Sequence, residues 1–222
     1  MSSKEPPAEV AKIRKQLADF LKTQDAQGRP IGRAKCGVYA FYDYDGEPIY
    51  VGQTVEHLSG RIGRHLTGRR SDAVAKFVLD PFEVLEVEVW PMFDAEQLSK
   101  DEKKALVDAA EYAVYTIALD GSKFKAVLNE GVIPPSYLIE LPPSFRGRII
   151  PDDLYDDRKH PDVRIARRAQ TVASLARLIA ERVVQKGIRT TLLVQAKRLE
   201  ALAAARLADF ADEPDEAAHD EE

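Results

Sequence analysis

Residues Gly37 to His65 read GVYAFYDYDGEPIYVGQTVEHLSGRIGRH, and this stretch decides the fold. Two runs rich in aromatic and β-branched residues, 37–44 and 47–51, meet at Asp45-Gly46. Because a tight turn between antiparallel strands needs positive φ, which Gly and Asp tolerate best, the pattern predicts a β-hairpin. The residues that follow, 56–66, repeat apolar side chains at a spacing of four and therefore predict a helix.

The predicted hairpin and helix carry four polar side chains within this short unit. Tyr39 lies on the first strand and Tyr50 on the second, while Arg61 and His65 lie four residues apart on the helix. Side chains at that spacing are one turn apart on one helix face, so both can contact the same ligand. Without further signals, the two tyrosines are more typical of aromatic packing across a hairpin than of catalysis.

Two more elements follow the hairpin. After Pro81 the run FEVLEVEVW alternates Val87 and Val89 with charged residues, which predicts a third strand with one buried face. A helix is predicted from a cap at Asp94 to Leu119, and Glu111 lies among its apolar positions. Burying part of an ionised carboxylate is costly unless it is compensated. We therefore expect Glu111 to have a partner, either a neighbouring Arg or Lys or a metal ion.

The two triplets of the hairpin and four later residues together resemble the signature of the GIY-YIG nuclease superfamily. The residues that carry the resemblance are Gly37-Val38-Tyr39, Tyr50-Val51-Gly52, Arg61, His65, Glu111 and Asn129. The resemblance extends over residues 35–131, less than half of the chain. It implies an α+β fold with a small three-stranded antiparallel sheet flanked by helices. It also implies that this domain cleaves DNA phosphodiester bonds with a divalent cation.

The resemblance also implies a role for each side chain. Glu111 would hold one Mg²⁺ or Mn²⁺, which prefer oxygen ligands, and Arg61 would clamp the scissile phosphate. Tyr39 would be the general base, helped by nearby positive charge, and Tyr50 would orient the attacking water. His65 would share the proton transfer or brace Tyr39. Which of these three side chains takes the proton is left open by the sequence.

Further polar residues are assigned to the surroundings of the site. Asn129 is expected to fix a loop beside the site by hydrogen bonds to the backbone. Four basic residues are expected to contact phosphates next to the cleaved bond, with solvated surface as the alternative: Arg64, Arg69, Arg70 and Lys76.

The predicted organisation has four parts. They are an N-terminal helical extension at 1–33, the nuclease-like domain at 34–145, a linker with a C-terminal helical hairpin at 146–210, and an acidic disordered tail at 211–222. The linker is placed at 151–161, and the two helices at 163–186 and 189–210 with a hinge at Gly187. The apolar faces of these helices must be buried against the nuclease-like domain, a second copy in a homodimer, or both.

Charge is unevenly distributed along the chain. The formal net charge is −5, but residues 158–206 contain twelve Lys or Arg against three Asp or Glu. From Asp209 onward there are eight acids and no Lys or Arg. This asymmetry predicts a polyanion-binding face on the C-terminal helices, with a solvated helix face as an equal alternative.

Composition limits the compartment and the class of protein. The single cysteine, Cys36, permits no intrachain disulfide, which is typical of a reducing cytoplasm. No apolar run approaches the roughly 20 residues that span a bilayer, and the first residues lack the apolar core of a secretory signal. We therefore expect a cytoplasmic protein. The resemblance implies a metal-dependent DNA endonuclease, and the compact size with an appended helical element favours one of the restriction or host-defence kind. The alternative is a non-catalytic DNA- or protein-binding module with the same fold.

Overall fold

A four-stranded antiparallel sheet lies at the centre of the structure, a computed structural model that describes residues 6–66, 80–129 and 133–211. Its strands are β1 (Gly37–Tyr42), β2 (Pro48–Thr54), β3 (Glu86–Pro91) and β4 (Phe145–Arg148). They lie in the order β2-β1-β3-β4, so β2 forms one edge of the sheet. The α+β fold that the sequence predicts is confirmed.

The β1–β2 hairpin is confirmed as well. Its register places Tyr39 opposite Gly52. In the loop, Gly46 has φ of +73°, in the left-handed region that favours glycine. The Asp43 carboxylate accepts hydrogen bonds from two backbone N–H groups of the same loop, at 2.8 and 3.0 Å. These bonds fix the turn from which both strands extend.

The strand β4 is the part of the sheet that was not predicted, since the expectation was three strands. Its residues, Phe145–Arg148, include a glycine and two arginines without apolar alternation, so the local sequence carries no strand signal. The strand is formed by its partner, because β3 places Glu86 opposite Arg148 and Glu88 opposite Arg146. Cross-strand pairs of opposite charge stabilise such pairing, and the Arg146–Glu86 ion pair measures 2.6 Å.

Six α-helices surround the sheet within the described ranges. They are α1 (Ala8–Phe20), α2 (Leu58–Leu66), α3 (Lys100–Gly121), α4 (Asp152–Lys159), α5 (Pro161–Glu181) and α6 (Lys186–Ala208). In the part of the chain that the structure describes, none of the helices combines the length and the apolar character that a bilayer crossing requires.

The helix α3 begins later than predicted. Residues 93–97 form a short 3₁₀ turn, and Ser99 rather than Asp94 caps the helix. The Ser99 hydroxyl accepts a hydrogen bond from the N–H of Glu102, and the Glu102 carboxylate accepts one from the N–H of Ser99 at 3.1 Å. Because this capping box satisfies two backbone N–H groups reciprocally, it determines where the helix starts.

The C-terminal segment is more regular than predicted. The residues predicted as a linker, 151–161, contain α4, and the turn between α5 and α6 covers residues 182–185 instead of Gly187. Both long helices share one hydrophobic cluster with Tyr39 and the rest of the sheet face. They contribute Leu175, Leu178, Ile188 and Val194 to it. The nuclease-like domain is therefore one of the surfaces against which these helices are buried.

Three arginines of α5 and α6 are buried in ion pairs. Arg164, Arg168 and Arg198 are each at most 5% exposed. Their carboxylate partners lie in the hairpin loop and just before β3: Asp43, Asp45 and Glu83. The prediction of a polyanion-binding face is therefore wrong for these three residues, because their charges compensate buried carboxylates.

The two ends of the chain differ in how far they are described. The helix expected in the N-terminal extension at 1–33 is confirmed as α1, which packs on β4. Phe20 lies so close to Gly147 that a Cβ there would come within 2.4 Å of its ring. The acidic tail predicted at 211–222 lies, except for Ala211, outside the described residues. The predicted domain boundaries at residues 33, 145 and 210 stay predictions.

Candidate active site

A cleft of about 370 Å³ opens beside the edge strand β2, between α2 and α3. Three of the residues predicted to be catalytic line it, namely Tyr50 from β2, Arg61 from α2 and Glu111 from α3. The predicted phosphate contact Arg64 lines it too. The rest of the lining comes from the end of β2 and the loop after it: Gln53, Thr54, Val55 and Glu56. Residues distant in sequence thus meet at one concave surface.

Tyr39 lies behind this cleft and is connected to it by Arg61. Its side chain is fully buried, and its ring stacks on that of Tyr50 with centroids 6.2 Å apart. The Arg61 guanidinium lies beside the Tyr39 hydroxyl and interacts with it electrostatically. Burial lowers the pKa of Arg61, but Tyr39, Tyr50 and Glu56 outweigh it and the net pKa shift is upward. Arg61 is therefore a permanent positive charge against a buried phenol.

Steric contacts explain the glycine of each triplet. A Cβ on Gly52 would lie 2.7 Å from the Tyr39 hydroxyl oxygen and 2.7 Å from a ring carbon of Tyr50. A Cβ on Gly37 would lie 2.5 Å from the carbonyl oxygen of Trp90 on β3. The absence of a side chain at Gly52 leaves room for the two phenols over β2, and at Gly37 it lets β1 approach β3. Both glycines are needed for the hairpin to place Tyr50 at the cleft and Tyr39 directly behind it.

Two acids line the cleft, Glu56 and Glu111. Glu56 pairs with Arg64, whereas Glu111 has no protein partner within the described ranges. Its side chain is half-buried, and no residue in those ranges gives it a hydrogen bond or an ion pair. Burial, together with the nearby Asp108 carboxylate, raises the pKa of Glu111 to about 7, although Lys104 and Arg61 act in the opposite direction. The expected Arg or Lys partner is therefore not present in the described part of the chain.

The surroundings of Glu111 fit a divalent cation bound by one protein ligand. A half-buried carboxylate without a partner is stabilised by a cation at its oxygen atoms. The described residues contain no group of three or more His, Cys, Asp or Glu side chains arranged to hold a metal. Mg²⁺ is commonly held by one or two carboxylates and keeps several waters. One carboxylate facing an open cleft suits such an ion.

Asn129 holds the outer edge of β2 next to the cleft. Its side-chain oxygen accepts a hydrogen bond from the Val51 N–H at 3.1 Å, and its side-chain nitrogen donates one to the Val51 carbonyl at 2.7 Å. The neighbouring Leu128 N–H donates to the Ile49 carbonyl at 2.8 Å. Leu128 and Asn129 thus form hydrogen bonds with the outer edge of β2, on the side where no strand of the sheet lies. Asn129 contacts backbone, as expected, and its part in activity stays a prediction.

The other predicted site residues are only partly described. His65 lies on α2, one turn after Arg61, but its side chain is outside what the structure describes. Arg64 forms a 2.6 Å ion pair with Glu56 across the mouth of the cleft. The remaining predicted phosphate contacts lie outside the described residues: Arg69, Arg70 and Lys76.

Polar residues that the sequence analysis did not single out lie beside Glu111. The amide nitrogen of Gln53 donates a hydrogen bond of 2.5 Å to Asp108, and Lys104 donates to both oxygens of the same carboxylate at 2.8 and 2.9 Å. The spacing of Lys104, Asp108 and Glu111 places them on one face of α3. That periodicity was a signal in the sequence, whereas the contact with Gln53 required the tertiary structure.

Comparison with known proteins identifies the domain around this cleft. The family profile described as "GIY-YIG catalytic domain" matches residues 35–113, which include Tyr39, Tyr50, Arg61 and Glu111 but not Asn129. No curated protein and no solved structure matches the chain. Such a domain implies a nuclease-type activity on nucleic acid, and GIY-YIG nucleases typically use a divalent metal. Residues 35–113 form a GIY-YIG catalytic domain.

Proposed function

We propose that the protein is a metal-dependent endonuclease that hydrolyses DNA phosphodiester bonds. The observation that carries this proposal is the convergence of Tyr50, Arg61 and Glu111 at one cleft, with Tyr39 stacked on Tyr50 directly behind it. A guanidinium suits phosphate, and a carboxylate without a described protein partner suits a divalent cation. Phosphodiester hydrolysis needs both, because negative charge grows on the phosphoryl oxygens in the transition state.

Each side chain has a distinct task in the proposed reaction. Arg61 binds the scissile phosphate and stabilises the charge on its oxygens. Glu111 is the residue that would hold Mg²⁺ or Mn²⁺, which when bound supplies Lewis-acid stabilisation of that charge. Tyr39, behind the cleft and beside Arg61, is proposed to take the proton of the attacking water at its hydroxyl oxygen, acting as the phenolate, and Tyr50 is proposed to orient that water. His65, one turn after Arg61, is proposed to share the proton transfer or to brace Tyr39.

The contacts of Tyr39 support it as the base. A phenol is a weak base near neutral pH unless its ionised form is stabilised. The positive charge of Arg61 lies beside this phenol, which favours the phenolate. The burial of Tyr39 acts in both directions, because it removes the water that would screen Arg61 and also desolvates the phenolate.

The biological setting is proposed from the same features. The compact catalytic domain with attached helices suits a cytoplasmic restriction or host-defence enzyme. Cleavage of both strands of a symmetric site requires two active sites. The C-terminal helical segment exposes Val183, Leu193 and Leu207, and these residues are where we place contacts in a homodimer.

A nicking assay on supercoiled plasmid tests the proposed function. Protein incubated with Mg²⁺ or Mn²⁺ should convert the plasmid to open-circular or linear DNA, and EDTA should prevent the conversion. Plasmid is the suitable substrate because it has no ends, so an exonuclease leaves it intact. A protein that binds the plasmid in a gel shift but nicks nothing with either metal would be a binding module, and the proposal would be withdrawn.

A further inference from the structure

We propose that Gln53 and Asp108 are positioning residues, which hold Glu111 at a fixed place relative to the Tyr50 and Arg61 side of the cleft. This inference rests on the proposed function. It concerns a contact between β2 and α3 that adjoins the cleft. Gln53 lines the cleft itself, whereas Asp108 lies one helical turn before Glu111.

Glu111 is isolated from the other described side chains of the cleft. Since no described residue gives its carboxylate a hydrogen bond or an ion pair, no described side chain ties it to the opposite wall of the cleft. Its location therefore depends on how α3 lies against β2. The apolar residues between them, such as Val51 on β2 and Val107 and Ala110 on α3, belong to one buried cluster within the core. Apolar packing tolerates small sliding more readily than a directed hydrogen bond does.

The Gln53–Asp108 hydrogen bond is a directed link near the cleft. Its length is 2.5 Å, short for an amide nitrogen and a carboxylate oxygen. Lys104 donates to both oxygens of Asp108, which fixes the orientation of that carboxylate on the helix. Gln53 immediately follows Gly52, the residue against which the Tyr39 hydroxyl packs. A shift of Gln53 would therefore move the strand that carries Tyr50 relative to the helix that carries Glu111.

Reversing the polarity of the hydrogen bond gives a stringent test. Gln53→Glu places a carboxylate against Asp108, and Asp108→Asn removes the charge that the Gln53 amide contacts, so each single variant weakens the link. When both substitutions are combined, the new amide at position 108 can donate to the new carboxylate at position 53, and the link is restored with opposite polarity. Asp120→Asn is the matched control, because Asp120 is an exposed acid on the same helix.

Two readouts separate positioning from general stability. The first is the single-turnover rate of plasmid nicking at saturating protein, together with the Kd for DNA. We expect each single variant to lower the rate about tenfold or more with little change in Kd, because small misplacements of reacting groups are costly. The second is the affinity for Mn²⁺ alone, followed by electron paramagnetic resonance. We expect each single variant to lower it about tenfold, in the range found when groups that orient metal ligands are removed.

The double variant decides the proposal. Recovery of both rate and Mn²⁺ affinity to within about threefold of the parent protein, with Asp120→Asn unchanged, supports it. Single variants within twofold of the parent, or a double variant no better than the worse single one, would overturn it. A parent protein that binds Mn²⁺ but nicks nothing would remove the proposed function while leaving the Mn²⁺ comparison to test Gln53 and Asp108. A parent protein that neither nicks DNA nor binds Mn²⁺ overturns both proposals.

Discussion

Gly52 lies opposite Tyr39 across the hairpin, and a Cβ at this glycine would fall 2.7 Å from the Tyr39 hydroxyl oxygen. Gly52→Ala should therefore displace both phenols from the cleft. We expect nicking to fall by about 10- to 100-fold and the free energy of unfolding to drop by about 1–3 kcal/mol through overpacking. Nicking assays and urea denaturation measure the two effects.

The control for this substitution is Gly63→Ala. A Cβ at Gly63 would meet nothing within 4 Å, and alanine is favoured over glycine within a helix by about 1 kcal/mol. The Gly63→Ala protein should therefore be as stable as the parent or slightly more so. Equal losses of stability in both alanine variants would show that the contact with Tyr39 is not the cause.

The pKa of Glu111 predicts a pH-dependent effect on stability without metal. Its folded-state pKa is about 7, above the ordinary value of 4.5. Between these values the folded state binds more protons, so stability falls as pH rises through this window. Glu111→Gln lacks this loss. In EDTA we expect the variant to gain about 1–3 kcal/mol over the parent at pH 8 and no such gain at pH 4.

Thermal denaturation at several pH values measures this difference. Glu140→Gln is a suitable control, because Glu140 is exposed and lies outside the cleft. If the Glu111→Gln protein gains as much stability at pH 4 as at pH 8, the gain does not arise from ionisation of Glu111.

The buried arginine cluster predicts that α5 and α6 are needed for a stable catalytic domain. Arg168→Met would leave the Asp43 and Glu83 carboxylates without one of their cations. Removing one partner of a buried ion pair typically costs about 3–5 kcal/mol. The matched control is Arg177→Met, since Arg177 forms an exposed pair with Glu181, and exposed ion pairs contribute little to stability. Urea denaturation of both variants should show this contrast, and similar midpoints would contradict it.

The ion pair at the mouth of the cleft predicts an increase in DNA affinity. Glu56 lies 2.6 Å from Arg64 and competes with phosphate for it. Glu56→Gln should therefore tighten DNA binding about threefold at low salt and steepen its salt dependence, because one more cation is available. Fluorescence anisotropy at several salt concentrations measures both. Glu181→Gln frees Arg177 in the same way on α5, away from the cleft. If Glu181→Gln tightens DNA binding as much as Glu56→Gln does, Arg64 is not a phosphate contact.

Much of the fold could be predicted because its signals are local. The hairpin depends on aromatic and β-branched runs around Asp45-Gly46, and α2 depends on a repeat of apolar residues. The capping box of Ser99 and Glu102 is an equally local signal for the start of α3, although the sequence pattern had favoured Asp94 as the cap. Local signals of this kind can be interpreted without any knowledge of tertiary contacts.

The remaining features arise from contacts between distant segments. The strand β4 forms because β3 has a free edge, and its own residues give no indication of a strand. In the sequence, Arg168 is indistinguishable from a solvated or DNA-binding arginine. The structure shows that it lies 2.8 Å from Asp43, which is 125 positions away in the chain. Glu111 was identified as needing a partner, but only the structure shows that no described side chain supplies one.

Plasmid nicking by the Glu111→Gln protein in Mg²⁺, compared with the parent and with Glu140→Gln, tests the central claim most directly. The claim is that this carboxylate, with Arg61 and Tyr39, forms a metal-dependent phosphodiesterase site. We expect Glu111→Gln to lower the nicking rate by at least about 100-fold, while Glu140→Gln keeps the parent rate. A Glu111→Gln protein that nicks plasmid as fast as the parent would contradict the claim.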